Sequence, residues 1–174
     1  NNDRPGILLS SAIKKNADFL GVATGEKNIL FTNNDSAYET AISLLEKGIN
    51  IEAIIDNREE VDSKLVYEVE KNNIKIFKGY TVTNTFGYKR INKISIKQLS
   101  KDGQKVIGSN IDLICDCLGI SGGWTPAVHL FTQSGGKLKF RNEDQTFIPN
   151  IYPSDQISIG ACNGDLTLDE VLTN

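Results

Sequence analysis

In the first half of the chain, short runs rich in apolar residues alternate with longer segments in which apolar residues recur at helical spacing. Short runs rich in apolar residues at Ile29–Phe31, Ile49–Ile55 and Ile74–Phe77 are typical of strands buried on both faces of a sheet. Between them, Ser36–Lys47 and Glu59–Lys71 each carry one apolar stripe, which is typical of helices that pack on a sheet. The order predicts a Rossmann-like βαβαβ unit of parallel strands, and therefore an α/β fold.

The flanking segments predict further short elements. Pro5–Leu20 begins at a proline, carries an apolar stripe and is followed by Gly21, so we expect a helix there. Weaker patterns occur towards the end of the chain. They predict a helical turn at Pro126–Phe131, strands at Lys137–Phe140 and Ile157–Gly160, and a final helix from Thr167.

The pattern changes after Gly79 to short alternating runs separated by turn residues. The runs are Tyr80–Thr85, Ile91–Leu99 and Val106–Ile107. They predict a three-stranded antiparallel crossover meander at about residues 79–109. Asn110–Leu118 then predicts one more parallel strand, which runs into the glycine-rich segment Gly119–Trp124. Open α/β sheets bind ligands at the carboxyl ends of their parallel strands, so this exit is a candidate site.

The turn after the first predicted strand has the spacing of a dinucleotide fingerprint without its glycines. Thr32, Asn34 and Ala37 stand where G-x-G-x-x-G/A has its three conserved positions, and Asp56 follows 24 residues after Thr32, where an acid can bind a ribose. Asn34 tolerates left-handed backbone angles, but its side chain takes space that a diphosphate needs. The alternative is a βα turn without a ligand, with Asp35 as a simple cap.

Composition narrows the classes of function. The 174 residues carry a net charge of −3 and no dense basic patch, so we expect no nucleic-acid partner. The apolar runs are too short to span a membrane and no signal peptide is visible, so we expect a cytoplasmic protein.

Three cysteines and His129 have no metal-ligand or nucleophile spacing, so we assign no catalytic or metal-binding residue. Methionine is absent even at position 1, which predicts an excised or processed piece.

The sequence also resembles known protein families. The order of elements resembles the NAD domain of two-dinucleotide flavoprotein reductases, and four blocks resemble the alpha subunit of heterotetrameric sarcosine oxidases. These blocks are Asn2–Gly6, Phe31–Tyr38, Ser121–Leu130 and Gln133–Leu138. The resemblance implies an internal part of a larger subunit. Residues 1–118 would form the NAD-binding domain with its crossover, and residues 119–174 would pack back toward a flavoprotein-type domain.

The resemblance also implies roles for particular residues. The diphosphate turn would consist of Thr32, Asn33, Asn34, Asp35 and Ser36, with Asp56 as the ribose acid. The nicotinamide half would meet Gly119, Ser121, Gly122 and Gly123. A returning segment would include Gly160 and Asn163. Asp56 would favour NAD over NADP by repelling a 2′-phosphate, and Arg58 two residues later would weaken that preference.

For the whole complex, the resemblance implies a flavin-dependent amine oxidoreductase that demethylates sarcosine to glycine. FAD and FMN would be associated with the beta subunit, and tetrahydrofolate would accept the one-carbon unit in another domain. The isolated chain would be inactive, holding NAD without turning it over. Two alternatives remain open. One is an assembly module with a vestigial site, favoured if Asn34 and Tyr38 crowd the diphosphate. The other is a fragment of an NAD-dependent flavoprotein reductase.

Overall fold

The computed structural model describes residues 3–144, 146–153 and 155–173, so Asn2 of the first resemblance block lies outside the described residues. The chain divides into two compact units, with the boundary between Gly123 and Trp124. Each unit has its own secondary structure and is considered by itself. In the described ranges no helix has both the length and the apolar character needed to cross a membrane.

The first unit contains eight strands and three helices within its described part. The strands are β1 Ile7–Leu9, β2 Asn28–Thr32, β3 Ile51–Asp56, β4 Lys75–Lys78, β5 Tyr80–Phe86, β6 Lys93–Leu99, β7 Val106–Ile114 and β8 Cys117–Ser121. The helices are α1 Ser10–Leu20, α2 Ser36–Glu46 and α3 Lys64–Lys71.

A parallel sheet lies at the centre of this unit, with the strand order β1-β8-β2-β3-β4. Alternate residues of its strands face opposite sides. Leu30 and Ile54 pack with the three helices in one core, whereas Ile29 and Ile55 pack with the antiparallel sheet β5-β6-β7 in the other. Both faces of the parallel sheet are therefore covered, which explains why its strands are rich in apolar residues. The predicted fold class is confirmed.

The first element differs from the prediction. Ile7–Leu9 forms the edge strand β1, which pairs in parallel with Leu118–Ile120, and the helix starts only at Ser10. Its end is as predicted, because Gly21 adopts a left-handed conformation (φ 63°) and closes the helix. The helix signal at Pro5 was therefore overridden by long-range pairing, which burial of Ile7 stabilises.

The segment predicted as one strand over Asn110–Leu118 belongs to two sheets. Val106–Ile114 is the last strand of the antiparallel meander, which therefore extends beyond residue 109, and Cys117–Ser121 is the parallel strand. The chain changes sheet at Asp116, whose carboxylate accepts the backbone amides of Glu26 at 3.0 Å and Lys27 at 2.8 Å. The last parallel strand consequently includes Gly119 and Ser121, which the prediction assigned to the following loop.

The second unit has little regular structure. Within its described residues it contains α4 His129–Gln133, β9 Lys137–Arg141, β10 Thr146–Ile151, the 3₁₀ turn Gly160–Cys162 and α5 Leu168–Thr173. β9 and β10 form an antiparallel hairpin, in which the rings of Phe140 and Phe147 lie 5.2 Å apart. The strand predicted at Ile157–Gly160 is wrong. Ile157 and Ile159 are largely exposed and have no ladder partner.

Candidate functional site

The turn between β2 and α2 is closed by hydrogen bonds that replace the missing glycine flexibility. Thr32 Oγ1 donates to the carbonyl of Asn34 at 2.8 Å and accepts the Asn34 amide at 3.0 Å. The amide of Asn33 donates to the carbonyl of Ser121 at 3.3 Å, which ties the turn to the end of β8. The structure thus brings the predicted turn and the predicted glycine-rich segment together at the carboxyl edge of the parallel sheet.

The side chain of Asn34 lies at the centre of this turn. Its Oδ1 accepts from three donors, namely the Ser36 amide at 3.1 Å, Ser36 Oγ at 2.6 Å and Ser121 Oγ at 3.2 Å. Its Nδ2 donates to Ser121 O at 3.1 Å and to Asn33 Oδ1 at 2.9 Å. The two hydroxyls also lie 2.8 Å from each other. An amide and a hydroxyl at the start of a helix, beside the Ser121 hydroxyl at the end of β8, form an environment that favours a negatively charged oxygen.

The backbone at Asn34 does not use the left-handed conformation that the sequence allowed. Among the described non-glycine residues, positive φ occurs at Asn73 and Asp155 only. The turn is instead stabilised by the Thr32 hydroxyl and by the Asn34 side chain itself. An asparagine at the second fingerprint position therefore contributes hydrogen bonds here, not backbone freedom.

Asp56 ends β3 beside Thr32, its ladder partner, and is fully buried. Its carboxylate accepts from the Tyr38 hydroxyl at 2.9 Å, and from Arg58 at Nε (3.1 Å), Nη2 (2.8 Å) and the backbone amide (2.9 Å). Burial next to this carboxylate raises the pKa of the Tyr38 phenol well above its usual value. Both oxygens of the predicted ribose acid therefore have protein partners.

Arg58 also contacts Asp35 at the start of α2. Its Nη2 lies 2.8 Å from Asp35 Oδ1, in an ion pair whose angle is poor for a hydrogen bond. The side chains of Arg58 and Asp35 are 32% and 44% exposed. The hydrogen bond to Asp56, followed by the contact with Asp35, raises the pKa of Arg58. The carboxylate that would repel a ligand diphosphate is thus paired with a guanidinium.

The predicted glycines have different surroundings. A Cβ on Gly119, inside β8, would lie 2.6 Å from Leu30 Cδ2 and 2.8 Å from Ile13 Cδ1, so close packing explains this glycine. A Cβ on Gly122 would meet no atom within 4 Å, and Gly123 has φ 96°. Asn33 Nδ2 donates to Gly122 O at 3.3 Å, which keeps these two glycines beside the turn.

Gly160 and Asn163 belong to the second unit. Gly160 begins the 3₁₀ turn with φ 60°, and Asn163 follows that turn. The Asn163 side chain accepts from the Tyr152 hydroxyl at 3.1 Å and donates to Asp165 at 3.2 Å. These contacts explain the local conformation of the segment, and its part in cofactor binding stays a prediction.

Sequence reasoning missed that Tyr38 and Arg58 hold Asp56. Crowding of the diphosphate by Tyr38 would have favoured the assembly module, but its side chain is fully buried and its hydroxyl donates to the acid at the end of β3. A signal was present, because a buried tyrosine in an apolar stripe needs a partner for its hydroxyl. Nothing local in the sequence indicates the ion pair between Arg58 and Asp35.

Other reactive groups are not gathered at this edge. All three cysteines are free, and burial raises the pKa of the Cys115 thiol to about 12. In the part of the chain that the structure describes, no three histidine, cysteine, aspartate or glutamate side chains assemble as a metal site requires. The polar edge therefore offers hydrogen bonds and one ion-pair network, which is a chemistry of binding.

Fold and edge together define a Rossmann-like domain of the type found in two-dinucleotide flavoprotein reductases. The chain is similar to the HOCl-induced flavoprotein disulfide reductase RclA from Escherichia coli, with 14% identity, 98% of this chain and 37% of that chain covered, and a TM-score of 0.65. It is also similar to thioredoxin reductase from T. acidophilum, with 19% identity, 92% of this chain and 54% of that chain covered, and a TM-score of 0.62. At these identities the likeness concerns the fold alone.

Sequence comparison is more specific and confirms the resemblance. The chain is 30% identical over 173 residues to sarcosine oxidase subunit alpha of Corynebacterium sp. (strain U-96), and 28% identical over 148 residues to that of Rhizobium meliloti (strain 1021). These alignments cover 99% and 84% of this chain. The chain spans only 18% and 14% of those relatives. No family model matches the sequence.

Proposed function

We propose that the first unit binds NAD at the carboxyl edge of its parallel sheet. The observation that carries this proposal is the position of Asn34 Oδ1 among three donors, at 3.1, 2.6 and 3.2 Å, at the start of α2. A diphosphate oxygen would take this position in a dinucleotide site, because the helix amide and the hydroxyls of Ser36 and Ser121 favour an anionic acceptor. Rotation of the Asn34 side chain would free the Ser36 amide and one hydroxyl proton, because Ser36 Oγ and Ser121 Oγ also lie 2.8 Å from each other.

The donor set and the charges fit a dinucleotide. Thr32, Asn33, Asn34, Asp35 and Ser36 would hold the diphosphate, and Gly122 and Gly123 would lie beside the nicotinamide half with Ser121. The ion pair with Arg58, which Arg58 shares with Asp56, offsets part of the charge of Asp35, the carboxylate nearest the helix start. Asp56 would orient the ribose end through the network that it forms with Arg58. Bound NAD supplies a hydride acceptor, but these residues bind and orient it and are not catalytic.

For the complete protein we propose the alpha subunit of a sarcosine oxidase-type complex. The similarity to two subunits of that name supports this proposal. The complex would demethylate sarcosine oxidatively to glycine in the cytoplasm. FAD and FMN would be associated with the beta subunit, and tetrahydrofolate would accept the one-carbon unit in another domain.

The division of the chain belongs to the same proposal. Residues 1–118 would be the NAD-binding domain, and residues 119–174 would pack back toward a flavoprotein-type domain of the complete subunit. Strongly exposed apolar side chains in the second unit support a face covered by further protein, with Leu130 83%, Ile157 84% and Leu172 75% exposed.

One observation favours a second candidate function, an assembly module with a vestigial site. Asn34 Oδ1 already satisfies the Ser36 amide, and the amides of Asn33 and Asn34 are bonded within the turn and to β8. A turn that satisfies its own donors is stable without a ligand. In that case the fold would serve as a scaffold for neighbouring subunits.

Calorimetric titration of the complete natural protein with NAD tests the two candidates. We expect saturable binding that Ser36→Ala weakens about tenfold, since one hydrogen bond to a charged oxygen contributes about 1.5 kcal/mol. Ser43→Ala is the matched control, because Ser43 lies on the same helix and its hydroxyl contacts Asp18 at 3.1 Å, outside the turn. Absence of binding in the wild-type protein would overturn the NAD site and favour the scaffold function over it.

A further inference from the structure

Arg58 is the cation beside the proposed ribose position, and two carboxylates hold it. In the described part of the chain, its Nε donates to Asp56 at 3.1 Å and its Nη2 donates to Asp56 at 2.8 Å. The same Nη2 lies 2.8 Å from Asp35 Oδ1. One positive charge thus faces two negative charges, so the cluster has a net charge of −1 when all three groups are ionised. A dinucleotide with a 2′-phosphate needs a cationic donor at this place.

The two carboxylates differ in how firmly they are fixed. Asp56 is fully buried and also accepts the hydroxyl of Tyr38, so it belongs to the core of the unit. Asp35 is 44% exposed and contacts Arg58 with a poor hydrogen-bond angle. Its removal therefore leaves the bidentate pair of Arg58 with Asp56 intact.

Arg58 also borders open space. It lines a cavity of about 300 Å³ between the end of β3 and the turn that joins β6 to β7, together with Asn57, Glu59 and Ser100–Gly103. Its side chain is 32% exposed. A guanidinium that is partly exposed at a cavity can reach a phosphate once a competing carboxylate is removed.

We propose that Asp35 determines coenzyme specificity by occupying Arg58 and adding a negative charge, which excludes dinucleotides that carry a 2′-phosphate. The inference rests on the proposed NAD site and deepens it. The dinucleotide fingerprint assigns discrimination between NAD and NADP to Asp56, the acid at the end of β3, whereas this inference assigns it to Asp35. Arg58, held by both carboxylates, then does not weaken the preference for NAD.

The experiment compares NADH and NADPH binding to the complete natural protein by calorimetry, with 5′-AMP and 2′,5′-ADP as shorter probes that differ only in the 2′-phosphate. Asp35→Asn removes the charge and keeps the shape of the side chain. Glu39→Gln is the matched control, because it removes one negative charge from the exposed first turn of the same helix, at a residue that lines a different cavity with Asp18 and Ser43. A double variant, Asp35→Asn with Arg58→Gln, tests whether any gain acts through the guanidinium.

We expect Asp35→Asn to raise the affinity for NADPH and 2′,5′-ADP about tenfold relative to NADH and 5′-AMP, as loss of a nearby partly screened charge allows. Glu39→Gln should leave the ratio unchanged, and the double variant should lose the gain. Equal gains for both ligands, or a gain that survives without Arg58, would overturn the inference while leaving the NAD site in place. If no variant binds any of the four ligands, the proposed function fails, and the inference fails with it.

Discussion

The hydroxyl of Tyr38 donates a 2.9 Å hydrogen bond to the carboxylate of Asp56, and both side chains are fully buried. The bond links the first helix turn of α2 to the end of β3, across the edge where the proposed site lies. A buried carboxylate is costly unless it is paired and hydrogen-bonded, so this contact and Arg58 together permit an acid in the core.

Tyr38→Phe should therefore destabilise the first unit. It removes one donor from a buried charge while keeping the ring, so we expect the free energy of unfolding to fall by about 1–3 kcal/mol. Equilibrium denaturation measures the effect. Tyr67→Phe is the control, because Tyr67 is 62% exposed and should change stability little. An unchanged stability in the Tyr38 variant would show that Arg58 alone compensates Asp56.

Asn34→Gly should have opposite effects on stability and binding. Loss of the side chain leaves the Ser36 amide without its acceptor, which costs about 1 kcal/mol as at other helix caps. The same change removes the oxygen that competes with a diphosphate, so NAD should bind about tenfold more tightly if the gain equals one hydrogen bond to a charged group. Asn50→Gly serves as control, since the exposed Asn50 side chain contacts Glu52 at 2.6 Å, outside the turn. Weaker NAD binding in Asn34→Gly would mean that the asparagine contributes contacts to the ligand.

Gly119→Ala and Gly122→Ala form a matched pair that separates packing from binding. A methyl group at residue 119 would press on Leu30 and Ile13, so we expect a loss of about 1–3 kcal/mol in unfolding free energy. At residue 122 there is open space, so stability should hardly change. Thermal denaturation of both variants checks this. Equal stabilities would contradict the close packing of β8 against β2 and α1.

Asp116→Asn should reduce stability at neutral pH, with a difference that shrinks in acid. Partial burial opposes ionisation, but the amides of Glu26 and Lys27 outweigh it and lower the pKa of Asp116 below its ordinary 3.8. A depressed pKa in the folded state contributes stability above the unfolded value, and this contribution is lost as the pH falls through the folded value. Denaturation curves from pH 7 down to below 3.8 measure it. A constant difference across that range would contradict the assignment.

Most strands of the parallel sheet could be predicted from the sequence, because buried strands are rich in apolar residues. It missed the edge strand Ile7–Leu9 because three residues carry no period, and the pairing with β8 that fixes them is more than a hundred positions away. It merged β7 with β8 over Asn110–Leu118, because the change of sheet at Asp116 depends on contacts with Glu26 and Lys27.

For the candidate site, the fingerprint spacing and the order of the strands predicted which segments meet at the sheet edge. They did not predict the contacts that the side chains of these segments make. Thr32, Asp56 and Ser121 lie at the same sheet edge, as parallel strands require. The inward turn of Asn34 and the ion pair of Asp35 with Arg58 depend on side-chain geometry between elements. Composition and periodicity contain no signal for either contact.

The central claim is that NAD binds where Asn34 Oδ1 now accepts its three hydrogen bonds. A crystal structure of the complete natural protein with NAD tests it most directly. We predict a diphosphate oxygen within hydrogen-bond distance of the Ser36 amide and hydroxyl, with the Asn34 side chain rotated away. An Asn34 side chain in its present position, with the nucleotide bound elsewhere or not at all under saturating NAD, would contradict the account.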